Sequence, residues 1–148
     1  VSPKENERWV RVRRRLDATP ERVFRAWSDP EELARWFPQR IEGSLAPGSR
    51  STLVWHDQRI WWDVVSTEPN HRFVFRWPWG KDDALVTTVT VDVAPAGMGS
   101  RVKIEDGPFP IDEPGGLDAY AEALEGWGET ATLLRAFIDF SVDARERA

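Results

Sequence analysis

The 148-residue chain is 41% apolar and 30% charged, the composition of a folded domain, and a chain of this size buries about 70% of the surface its unfolded form exposes. It carries a net charge of −5 and no cysteine, which argues against a nucleic-acid partner and excludes disulfides, thiolate metal sites and a cysteine nucleophile. No run approaches the roughly 18 apolar residues of a membrane span, and "VSPKENERWVRVRRRL" has no apolar leader core, so the expectation is a cytoplasmic protein without membrane insertion.

The first element is a half-exposed strand over about 8 to 16, in which Val10, Val12 and Leu16 alternate with the arginines of "RVRRR". Arg14 breaks the alternation by sharing the apolar phase, which makes it a candidate anchor for a ligand carboxylate. Two helix starts follow in "DATPERVFRAWSDPEELARWF". Thr19 precedes Pro20, and Asp29 precedes Pro30 with Glu32 three residues after the cap. Val23, Phe24 and Trp27 form the apolar side of the first helix, and Leu33, Trp36 and Phe37 that of the second.

Between 41 and 107, short β-branched and aromatic runs alternate with turn residues, as an antiparallel meander requires. Period-two phase places Leu53, Trp55, Phe73, Phe75, Trp77, Val89, Val91, Val93, Val102 and Ile104 on the inner face. "GPFPIDEPGG" then reads as a connecting stretch, followed by one long helix from about Leu117 to Phe140. Its apolar stripe is expected to run through Leu117, Tyr120, Ala121, Leu124, Trp127, Ala131, Leu134 and Ile138. Gly126 and Gly128 flank Trp127 at a cost of about 1 kcal/mol each relative to Ala, which close approach of helix to sheet would offset.

Four ordered landmarks carry a resemblance: "LDATPERVFRAWSDPEELARWF", "EPNHRFVFRW", "APAGMGSRVKIEDGPF" and "EGWGETATLLRAFI". Over about residues 10 to 140 they resemble the activator of heat-shock protein 90 ATPase homologue family, in the START-like (SRPBCC) superfamily. The resemblance implies an α+β helix-grip fold. A curved antiparallel sheet of about six to seven strands would wrap the long C-terminal helix, and two short helices after the first strand would close one end of the cavity. It also implies a single START-like domain over 1–148, with its core at about 8–140. Members bind apolar small molecules, act as polyketide cyclases or dehydratases, or contact a chaperone, so fold alone assigns no activity.

Such families commonly have glycine where this chain has Trp62, in "RIWWDVV" at 59 to 65. An inward indole there would shrink the cavity or wall it. Asp63 follows in the outward phase and is expected to face solvent.

His56 and His71 stand at turns without ligand-spaced partners, so no metal site is expected; no nucleotide-binding motif appears, so no cofactor is expected either. The strongest functional signal is aromatic: nine Trp and seven Phe against one Tyr. Trp36, Phe37, Trp55, Trp62, Trp77, Tyr120, Leu124 and Trp127, with Arg14, are the candidate binding residues for an apolar or aromatic small molecule. The leading expectation is a non-enzymatic or weakly catalytic carrier. The alternatives are a chaperone-interaction module, favoured if the rings interlock and fill the cavity, and a polyketide cyclase or hydrolase using an interior acid such as Asp63 or Glu105.

Overall fold

The structure is a computed structural model and describes residues 5–145, the Lys81 side chain excepted; the outermost residues of the expected domain, 1–4 and 146–148, lie outside it. The elements are β1 (Glu7–Leu16), α1 (Pro20–Ser28), α2 (Pro30–Leu33), β2 (Arg40–Gly43), β3 (Arg50–Trp55), β4 (Gln58–Glu68), β5 (Arg72–Trp79), β6 (Leu85–Ala96), β7 (Gly99–Pro110) and α3 (Gly116–Phe140). A single 3-10 turn at Lys81–Asp83 links β5 to β6. All seven strands form one antiparallel sheet in the order β1-β7-β6-β5-β4-β3-β2. The sheet curves against α3, the helix-grip arrangement.

The two helix starts form as their cap chemistry dictates. The Thr19 side chain accepts from the Arg22 N–H and Asp29 from the Glu31 N–H, with proline in the first turn of each helix. The second helix ends sooner than its apolar spacing predicts, at Leu33. Pro38 disfavours the helical region for Phe37, so Trp36 and Phe37 sit in the turn beyond the helix, their N–H groups both directed at the Leu33 carbonyl. Glu32 does not reach back to its cap but pairs with Arg22 and Arg25 at 3.4 and 3.3 Å.

The predicted inner-face residues of the meander are all buried except Trp55, which is half-buried. The "GPFP" segment is not a connection. It extends β7 to Pro110 in register with β1, where Glu7 faces Pro110 and Arg8 faces Phe109. Gly107 is required there because a Cβ would lie 2.7 Å from the Trp9 ring.

The stripe on α3 is also rotated from the predicted one. Ala119, Ala123, Trp127, Thr130, Ala131 and Leu134 are buried, whereas Leu117 and Leu124 are 58% and 46% exposed. Small residues face the sheet in the first half of the helix, so the backbone approaches closely and the leucines turn outward. Close approach does not explain Gly126 and Gly128, since a Cβ at either would meet open space. Their carbonyls accept from the Thr130 and Thr132 hydroxyls at 2.8 and 3.1 Å.

Candidate functional site: an aromatic groove with a buried carboxylate

The aromatic side chains converge between sheet and α3, and their rings touch one another. Phe37 is the hub, with ring centroids 6.4 Å from Trp27, 5.2 Å from Trp55, 6.2 Å from Trp62, 6.4 Å from Trp77 and 6.2 Å from Trp127. Trp62 stacks on Phe75 at 3.7 Å and 16°. The Trp62 indole thus occupies the middle of the groove, wholly buried. Trp36 and Trp55 spend their N–H groups on structure, donating to the Ala26 carbonyl at 2.9 Å and the Phe37 carbonyl at 3.0 Å. They fasten the α1–α2 segment over the end of the groove.

Beyond this packed middle, the sheet and α3 hold a buried carboxylate. Asp106 on β7 has no exposed surface, and its Oδ2 accepts from the Trp127 indole at 2.8 Å. Oδ1 has no hydrogen-bond partner, nor does the buried Trp77 indole nitrogen. Burial pushes the Asp106 pKa up to about 6, opposed in part by the nearby Thr87 hydroxyl and the Trp127, Trp77 and Trp79 indoles. The Trp127 indole hydrogen-bonds the carboxylate directly, and the Trp79 indole donates to Thr87 Oγ1 at 3.0 Å. No charged side chain figures among the causes of this shift.

A cleft of about 330 Å³ opens beside this cluster and shares Trp77 and Trp79 with it; Ile60, Arg59, Asp83 and Glu122 are also on its walls. Trp79 continues through Phe109, 5.9 Å away, to Tyr120, whose ring is 5.8 Å from Phe109.

The predicted site is therefore only partly assembled. Trp36, Phe37, Trp55, Trp62, Trp77 and Trp127 share the aromatic groove, and Tyr120 joins from the Phe109 side. Leu124 does not belong, being on the exposed side of α3. Nor does Arg14: it is half-buried, donates to the Arg13 carbonyl at 2.8 Å and faces Val102, four residues along β1 from the Val10 that faces Asp106, or roughly 13 Å.

Neither acid proposed from the sequence is interior. Asp63 accepts from Arg50 at 2.6 and 2.8 Å on the outer face, where the Arg50 guanidinium lies 4.4 Å from the Trp61 ring. The Arg50 hydrogen bonds hold its carboxyl below the usual range. Glu105 is likewise on the outer face: partial burial raises its pKa, but Arg11 and Lys103 more than offset this and leave it lowered. Asp106, Thr87 and Trp79 are the residues that sequence reading missed. Each extends a recognised inward series by one step: Val102 and Ile104 lead to Asp106, Val91 and Val89 to Thr87, and Phe75 and Trp77 to Trp79. Among the described residues no three His, Asp or Glu side chains are grouped to hold a metal ion, and no helix is long and apolar enough to cross a membrane.

A sheet gripping one long helix, with two short helices after the first strand, defines a START-like domain. The chain belongs to the family described as Activator of Hsp90 ATPase homolog 1-like protein, whose model matches residues 17–139. Its fold is similar to that of MLL2253 from Mesorhizobium loti, with a TM-score of 0.76 at 25% identity over 86% of this chain and 94% of that one. It is also similar to the Aha1 dimer from Colwellia psychrerythraea, with a TM-score of 0.77 at 16% identity over 90% and 97% of the two chains. DynU16, from the dynemicin biosynthetic locus, matches with a TM-score of 0.78 at 22% identity over 97% of this chain and 51% of its own. No curated protein matches the sequence.

Proposed function

We propose that this chain is a cytoplasmic binding domain that sequesters or carries an apolar or aromatic small molecule, held beside the packed tryptophans at the Asp106 end of the groove. The observation that carries the reading is the unpartnered Oδ1 of a fully buried Asp106. A buried polar atom without a partner is costly and rare, and a ligand group that hydrogen-bonds to it relieves that cost. The adjoining cleft of about 330 Å³ falls within the usual size range of small-molecule pockets, and its walls combine the apolar Ile60, Trp77, Pro78 and Trp79 with the polar Gln58, Arg59, Asp83 and Glu122.

The test is a titration of a panel of aromatic and apolar metabolites, followed by tryptophan fluorescence and melting temperature. A saturable fluorescence change with a matching rise in melting temperature is expected for at least one chemical class, and it should weaken in Asp106→Asn. No saturable response from any compound would overturn the reading.

The interlocked rings of Phe37, Trp62, Trp77 and Trp127 favour a second reading, a compact module that contacts a chaperone through its surface. That reading requires a chaperone to be recovered in a pull-down and its ATPase rate to change.

A further inference from the structure

We infer that the ligand of the Asp106 site is an organic cation: an apolar or aromatic body bearing a protonated amine, whose nitrogen meets Asp106 Oδ1 between Trp77, Trp79 and Trp127. This rests on the small-molecule reading above and names the chemistry that the site selects.

Three independent features converge on it. The first is the isolation of the carboxylate. Asp106 forms no ion pair among the described residues, and the side chains around it are Val10 of β1, Trp77 and Trp79 of β5, Thr87 and Val89 of β6 and Trp127 of α3. A buried carboxylate without a counterion is strongly disfavoured, and a bound ammonium supplies both the missing charge and the missing donor.

The second feature is the indole lining. Trp77 and Trp79 meet edge to face at 5.2 Å and 84°, and Trp127 lies 5.2 Å from Trp77. Tryptophan faces attract cations more strongly than those of other aromatic side chains, most of all when desolvated.

The third is the charge at the mouth. Asp83 and Glu122 stand on the cleft walls, and the one cation there among the described side chains, Arg59, is engaged by Glu42. The two wall carboxylates draw cations toward the site and repel carboxylates.

The experiment compares three probes sharing one body: arylalkylamines of one to three fused rings, their N-acetyl amides and the corresponding arylalkanoic acids. Calorimetry at about pH 8, where amines are charged and the Asp106 carboxyl is ionised, measures each affinity for the wild type and for Asp106→Asn. The amine is expected to bind at least about tenfold more tightly than its amide, with the acid weakest, and Asp106→Asn should abolish the preference while sparing the amide. Glu122→Gln, at the exposed mouth and harmless to folding, should slow amine association about twofold at low salt without affecting the amide.

Amine and amide binding equally, the acid binding best, or the preference surviving in Asp106→Asn would each overturn the cation inference while leaving small-molecule binding intact. Failure of every probe, together with the metabolite panel, would overturn both.

Discussion

The indole nitrogen of Trp127, midway along α3, donates to Asp106 Oδ2 on β7 at 2.8 Å, joining the gripped helix to the sheet at the one fully buried carboxylate of the described core. Burial dominates the electrostatics of this pair, and the consequence is a definite pH dependence. Below about pH 3, Asp106 is protonated in both folded and unfolded chains and costs nothing. Above about pH 7 it is ionised in both, and the folded state bears the penalty of the gap between 3.8 and about 6, about 3 kcal/mol.

The Asp106 contribution therefore falls as pH rises from about 3 to about 7. Urea unfolding across this range should show the stability of Asp106→Asn improving relative to wild type by about 3 kcal/mol, whatever its absolute value. A difference that stays constant with pH would mean that the carboxyl is not held neutral by the fold.

The glycines beside Trp127 face open space, and each loosens the helix at the residue that holds Asp106. Gly126→Ala and Gly128→Ala should each stabilise the protein by about 0.5 to 1 kcal/mol, read as a higher denaturation midpoint. Destabilisation by either would place a tight neighbour where the structure shows none.

Trp62 fills the middle of the groove, stacked on Phe75. Trp62→Ala should lower stability by about 3 to 5 kcal/mol through lost burial and the cavity left behind. The enlarged groove should also take up apolar dyes that wild type excludes. A loss under about 1 kcal/mol would show that the neighbouring rings collapse into the gap.

Asp63 belongs to an outer-face ion pair with Arg50, screened by solvent. Asp63→Asn should leave the melting temperature nearly unchanged and ligand binding untouched, in contrast to Asp106→Asn. Impaired binding in Asp63→Asn, measured by calorimetry, would return the outer face to consideration.

Local rules accounted for much of this protein before any contact was known. Proline after Thr19 and Asp29 located both short helices, and strand period placed Leu53, Phe73, Phe75, Val89, Val91 and Ile104 on the inner face, because cap chemistry and pleat alternation are decided by immediate neighbours. Asp106 was legible by that same period, one step past Ile104, but it stands directly before "GPFPIDEPGG", which reads as a connection, and the pairing of that segment with β1 is a nonlocal fact. The rotation of α3 that exposes Leu124 and buries Ala119 and Ala123 depended on how near the sheet allows the helix, which hydrophobic period does not encode. Sequence thus determined the elements, their order and an aromatic interior. Tertiary structure decided which rings fill that interior and which carboxylate is enclosed, since ring packing and desolvation arise only when β5, β6, β7 and α3 meet.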